Sequence, residues 1–147
     1  MNTIQINKVL KSEVKTKKIY LGTFSVDQLP KKIIYPSCLI VNNQNSYESG
    51  EHWLAIFFHK NKVAEFFDSF GNSPCYYNLG NYLDSHSKRF TFNKPPLQSF
   101  TSLYCGLYCI FYLILKAKGR SLNYIINLFK TPYQNDKLFK SLIKKYY

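Results

Sequence analysis

Between residues 107 and 115 the chain is apolar at almost every position: Leu107, Tyr108, Cys109, Ile110, Phe111, Tyr112, Leu113, Ile114 and Leu115. A helix that is apolar on all sides is a buried one. The run is shorter than the roughly 20 apolar residues of a membrane span. Thr101 and Ser102 are suited to cap its start and Gly119 to end it. Residues 98–118 therefore predict one core helix that carries Cys105 at its first turn, with Gln98 just ahead of it.

Upstream, the pattern changes period. Residues 52–59 (HWLAIFFH) and 62–68 (KVAEFFD) are apolar runs separated by Lys60-Asn61, which predicts a β-hairpin. Residues 37–41 form a short strand ending at Asn42-Asn43, and residues 89–93 (RFTFN) alternate as another strand until Pro95-Pro96. Gly22, Pro30 and Pro36 punctuate residues 21–36, which read as loop. Residues 1–18 suggest a short, weakly amphipathic helix. Ser73-Pro74 predicts a helix to about residue 85, with Tyr76, Leu79, Tyr82 and Leu83 on one face. Ser121 is expected to cap a helix through residue 130, with Leu122, Ile125, Ile126 and Phe129 at helical spacing. Asn135 is expected to cap a last helix, with Leu138, Phe139, Leu142 and Ile143 inward. The predicted class is α+β: a small mixed sheet around a central buried helix, in one domain covering residues 1–147.

Composition adds little to that picture, except through charge. With 46% apolar residues the chain is not disordered, and its 147 residues can bury a core. The net charge is +12, unevenly placed. Residues 1–35 carry seven Lys against Glu13 and Asp27, and residues 102–147 carry eight basic residues against Asp136 alone. The middle is balanced. Basic ends attract polyanions, so non-specific DNA is an expected partner. The four cysteines, with no leading apolar segment of signal-peptide type, point to a reducing compartment. No membrane partner is expected, and the expected state is a monomer.

Four polar residues stand at chemically telling places. His52 opens the first hairpin strand and Asp68 ends the second, so the hairpin brings them together. Cys105 sits at a helix N-terminus, where the dipole and free N–H groups favour a thiolate. A thiol needs a base, and the base needs an orienting carboxylate. Gln98 and the backbone N–H of Cys105 are suited to hold an oxyanion. Each residue alone has a blander reading: a core thiol, a structural histidine, a turn aspartate, a loop glutamine. Cys105 and Cys109 lie four apart on one helix with His52 or His59 in reach, an incomplete set for a metal site.

Taken together, Gly50-Glu51-His52-Trp53, Phe67-Asp68-Ser69-Phe70-Gly71, Gln98 and Tyr104-Cys105-Gly106-Leu107-Tyr108-Cys109 resemble the adenain family. These are the adenovirus-type maturation cysteine proteases, of the same clan as the Ulp proteases that act on ubiquitin-like modifiers. Leu21-Gly22-Thr23-Phe24 and Cys38-Leu39-Ile40-Val41-Asn42 extend the resemblance upstream, so that it covers residues 20–115 with a weaker helical match to the end. The resemblance implies an adenain/Ulp-like fold and catalytic roles: Cys105 as nucleophile, His52 as general base and then acid, Asp68 orienting it, Gln98 as oxyanion donor, with Trp53 packed beside the site. It also implies cleavage of capsid or other virion precursor proteins at Gly-containing sites, in the virion and the host cytoplasm or nucleus. Residues 83–96 lack the cysteine through which adenoviral members bind an activating peptide. No cofactor is expected, although DNA or a non-disulfide peptide could activate. The short length is similar to compact members from virophages and large self-synthesising transposons. Three rivals share parts of the pattern: a Ulp-like protease for a ubiquitin-like modifier, an acyltransferase on the same frame, and a non-enzymatic basic virion protein.

Overall fold

Strands apolar on both faces need cover on both sides. The second and third strands meet that description, with Ser37–Asn42 buried throughout and Trp53–Phe58 nearly so. The structure is a computed structural model and describes residues 1–146. Its five strands are β1 (Tyr20–Ser25), β2 (Ser37–Asn42), β3 (Trp53–Phe58), β4 (Val63–Phe67) and β5 (Arg89–Phe92). They lie side by side in chain order. The β1–β2 and β4–β5 pairs are parallel, whereas β2–β3 and β3–β4 are antiparallel, so the sheet is mixed.

The helices are α1 (Thr3–Ser12), α2 (Gly80–His86), α3 (Cys105–Ala117), α4 (Leu122–Asn127) and α5 (Pro132–Tyr146). One sheet face presents Cys38, Ile40, Ala55, Phe57 and Phe67 to α3, α1 and residues of α4 and α5. The other presents Leu39, Val41, Leu54, Ile56, Phe58 and Phe66 to Leu79 and Leu83 beneath α2. The fold is α+β, as the pattern predicts, and α3 lies centrally against β3. Tyr112 of α3 stacks on Phe67, with ring centroids 4.5 Å apart. At the far end of α3, the buried Lys116 Nζ donates to Glu65 Oε2 of β4 at 2.8 Å. Tyr112 Oη donates to the other oxygen of that carboxylate at 3.1 Å, and His59 Nε2 bonds Oε2 beside Lys116.

Several boundaries differ from the sequence reading. Residues 21–36 are not all loop: β1 lies there, hidden by Gly22, whose φ of +141° marks an irregularity in the β1–β2 register. The helix expected from Pro74 splits into a 3-10 turn, Pro74–Tyr77, and α2, because Asn78 adopts a left-handed conformation at φ +58°. Ser73 makes no capping bond there. Residues 98–104 are loop, so α3 begins at Cys105 with Tyr104 at its cap, and neither Thr101 nor Ser102 caps it. Gly119 ends α3 at φ +86°, as expected. Ser121 does cap α4, but that helix stops at Asn127 rather than residue 130. Asn135 lies inside α5 instead of capping it. On α5, Phe139 is buried but Leu138 and Leu142 face outward, because only one narrow stripe of that helix touches the core.

Candidate active site

The β3–β4 ladder ends at the Ala55–Phe67 pair, so His52 and Asp68 lie just beyond it and meet diagonally. His52 Nε2 is 2.6 Å from Asp68 Oδ1. Asn43 fixes the His52 backbone: its Oδ1 accepts from His52 N–H at 2.9 Å, and its own N–H donates to the His52 carbonyl at 3.0 Å. The imidazole stacks on Phe70, with centroids 4.5 Å apart.

Asp68 is fully buried and held from every side. Its Oδ1 accepts from Phe70 N–H at 2.9 Å, and its Oδ2 accepts from Asn72 N–H at 3.1 Å and Tyr77 Oη at 2.7 Å. Asn93, just after β5, clamps the backbone: its Oδ1 accepts from Asp68 N–H at 2.9 Å and its Nδ2 donates to the Asp68 carbonyl at 2.6 Å. The turn that makes this possible needs Gly71. Its φ is +77°, and a Cβ there would lie 2.6 Å from the Lys94 carbonyl oxygen.

Cys105 faces His52 from the N-terminus of α3. Burial pushes its thiol pKa up, yet the His52 ring and the N–H groups of Trp53 and Gly106 outweigh burial and hold it below the ordinary range. Burial works against the imidazolium in the same way, but Asp68 and Cys105 together push His52 up to about 9. Asp68 sits below the usual carboxylate range: burial would raise it, and His52, Tyr77 and the Phe70 N–H overcome that. The lowered thiol and the raised imidazole shift in the two directions that favour a thiolate–imidazolium pair. Cys109, one turn along, behaves oppositely. It is fully buried, its thiol is pushed well above its usual value by that burial, and its Sγ donates to the Trp53 carbonyl at 3.3 Å. The two cysteines differ because only one sits at the helix end.

Gln98 is buried and bonded at both ends of its amide. Its Oε1 accepts from Ser69 Oγ, and its Nε2 donates to the Ser102 carbonyl at 2.9 Å and to Ser102 Oγ at 2.7 Å. Its backbone N–H and that of Leu97 both reach the Ser69 carbonyl. Thus Asp68-Ser69 and Leu97-Gln98 are tied together, one end of the site to the other. Ser102 also lines the cleft that holds Cys105 and His52, although Gln98 itself does not.

That cleft, of about 880 Å³, contains Cys105, His52, Trp53, Phe70 and Ser102, with Phe100 and Leu103 exposed at its rim. Its charged side chains are Glu48 and Glu51, and none of its described lining residues is Lys or Arg. The sequence reading missed Asn43, Tyr77 and Asn93. Their spacing carries no pattern; each becomes legible only when the hairpin, the 3-10 turn and β5 are packed around one carboxylate. Among the described residues no group of three or more His, Cys, Asp or Glu could hold a metal ion.

No protein-family model matches the chain, and no curated protein matches it. Among solved structures the chain is similar to the ASFV pS273R protease, with a TM-score of 0.48 and 24% identity over 72% of this chain and 43% of that one. The chain therefore spans less than half the length of that protease.

Proposed function

We propose that this chain is a cysteine endopeptidase of the adenain type. The observation that carries the reading is the Cys105–His52–Asp68 relay, in which a lowered thiol faces a raised imidazole whose far nitrogen is 2.6 Å from a buried carboxylate. The thiolate attacks the scissile carbonyl and the carbonyl oxygen becomes an oxyanion. The Cys105 backbone N–H holds that oxyanion, joined by Gln98 once substrate displaces the Ser102 oxygens from its amide. His52 gives its proton to the leaving amine. Water then cleaves the thioester, with His52 as base.

Steric access supports Gly-containing cleavage sites. Cys105 is 9% exposed and His52 5%, so a glycine reaches the thiol with the least obstruction. The absence of Lys and Arg among the cleft's described lining residues supports a peptide rather than a nucleic acid as the occupant. The substrates in this reading are capsid and other virion precursor proteins, met in the virion or in the host cytoplasm or nucleus. DNA binds elsewhere, on basic helices such as α1 and α5, and its affinity falls steeply with added salt. Binding that is unchanged between low and moderate salt would remove DNA from the reading.

The test is a proteome-derived peptide library incubated with wild type and Cys105→Ala, with and without DNA, and new N-termini identified by mass spectrometry. Wild-type-only cleavage next to glycine is the expected result. Identical peptides from both proteins would overturn the assignment. Cleavage restricted to an added ubiquitin-like precursor would move it to the Ulp-like alternative.

A further inference from the structure

Residues 102–147 carry eight basic residues and one acid, and that acid is buried. Asp136 of α5 is 9% exposed, and none of the described cations pairs with it. Neutral donors surround it instead. Its Oδ2 accepts from Ser99 N–H at 3.1 Å and from Ser99 Oγ. Its Oδ1 accepts from Ser102 Oγ at 3.1 Å and Tyr108 Oη at 2.8 Å. These donors lie on both sides of Cys105: two serines in the loop before it and a tyrosine one turn after it. Asn135, the preceding residue, adds a bond from its Nδ2 to the Leu97 carbonyl at 2.9 Å. A chain of hydrogen bonds therefore runs from Gln98 Nε2 to Ser102 Oγ and on to Asp136.

We propose that Asp136 is a positioning residue that sets the loop 98–104, and through it the oxyanion-binding donors beside Cys105. The inference rests on the reading of Cys105 as an acyl-transferring nucleophile. Its physical ground is the donor count. Four donors converge on one side chain, and an ionised carboxylate accepts all of them. An asparagine would keep its oxygen on the Ser99 N–H and turn its NH2 toward Ser102 Oγ and Tyr108 Oη. Tyr108 can then donate to the Leu97 carbonyl at 3.0 Å, but Ser102 Oγ, which already accepts from Gln98 Nε2, loses the acceptor for its own proton. The loop would then shift, and with it Ser102, the partner that holds the Gln98 amide. The His52–Asp68 relay has separate supports in Asn43, Tyr77 and Asn93, so thiolate formation does not depend on Asp136.

That separation makes the inference testable with two reagents on one thiol. Iodoacetamide reacts at a saturated carbon: the thiolate forms a C–S bond, iodide leaves, and no oxyanion forms. p-Nitrophenyl acetate reacts at a carbonyl through an oxyanion: a C–S bond forms, the ester C–O bond breaks, and p-nitrophenolate leaves. The proteins are wild type, Asp136→Asn, the milder Ser99→Ala, and Cys105→Ala, all with the exposed Cys75 replaced by Ala. In Asp136→Asn the alkylation rate should stay within about twofold of wild type while acylation falls roughly 10- to 100-fold, the scale of losing an oxyanion donor. Ser99→Ala should show the same split, smaller, and it keeps the test intact if Asp136→Asn fails to fold. An unchanged ratio of the two rates, or a parallel fall in both, overturns the positioning role. If wild type reacts with neither reagent faster than Cys105→Ala, the active-site reading itself falls, and this inference with it.

Discussion

Asp68→Asn tests the electrical basis of the site. In the folded protein His52 moves from 6.5 to about 9 against the cost of its own burial. At about 1.4 kcal/mol per pKa unit this is roughly 3 kcal/mol of preference for the imidazolium, supplied by Asp68 and the Cys105 thiolate. Asparagine keeps the size of the side chain but removes the charge. Burial, the largest single influence on His52 and one that favours the neutral ring, then faces only the thiolate. If Asp68 supplies half or more of the preference, its loss costs on the order of 10- to 100-fold in the ion-pair population at neutral pH. The assay is the pH profile of iodoacetamide alkylation of Cys105, read by intact mass in the Cys75→Ala background. Wild type should show a broad plateau of reactivity through neutral pH, ending near the His52 value of about 9, where the lone thiolate takes over. Asp68→Asn should lose the plateau and rise only in alkaline solution. A variant rate within about threefold of wild type from about pH 6 to about pH 8 would refute the argument, because the thiolate would then owe nothing to the relay. The same substitution should flatten the acid limb of stability. The Asp68 pKa is depressed on folding, so its contribution is present above the ordinary carboxylate value of 3.8 and is lost as pH falls through the folded one.

Three further substitutions separate chemistry from architecture. Cys109→Ala should leave Cys105 alkylation unchanged while lowering stability by about 1–2 kcal/mol in chemical denaturation, since Cys109 is a buried thiol bonded to Trp53; loss of alkylation would mean that the two cysteines are coupled. Gly71→Ala forces a Cβ to 2.6 Å from the Lys94 carbonyl oxygen at φ +77° and should cost more than about 2 kcal/mol. A near-neutral melting temperature would show that the 94–96 segment gives way freely. Glu65→Gln leaves the buried Lys116 without its counter-charge and should cost about 3–5 kcal/mol, whereas Glu65→Gln combined with Lys116→Met should recover much of that loss. A double variant as unstable as the single would refute the pairing account.

The central helix and the hairpin follow from local rules. A continuous apolar run makes a buried helix, and α3 is that helix. Two apolar runs around Lys60-Asn61 make a hairpin, and β3 and β4 form it, bringing His52 and Asp68 within a side chain's reach. Where local signals conflict, the sequence misleads. Gly22 reads as a turn but is an irregularity inside β1, because pairing with the buried β2 outweighs the weak preference of one residue. Leu138 and Leu142 read as inward but face outward, because the core reaches only the Phe139 side of α5. The supports of the site belong wholly to tertiary structure. Asn43, Tyr77 and Asn93 reach the relay from three separate elements, and Asp136 reaches the 98–104 loop from the last helix. A buried charge takes its partners from whatever the packed chain brings within about 3 Å, and that distance is independent of separation along the sequence. The place of Cys105 at the helix start is legible in the sequence, but its partners are not: in the fold the thiol at the open end of α3 meets N–H groups and an imidazole, and the thiol of Cys109 one turn further in meets only the core.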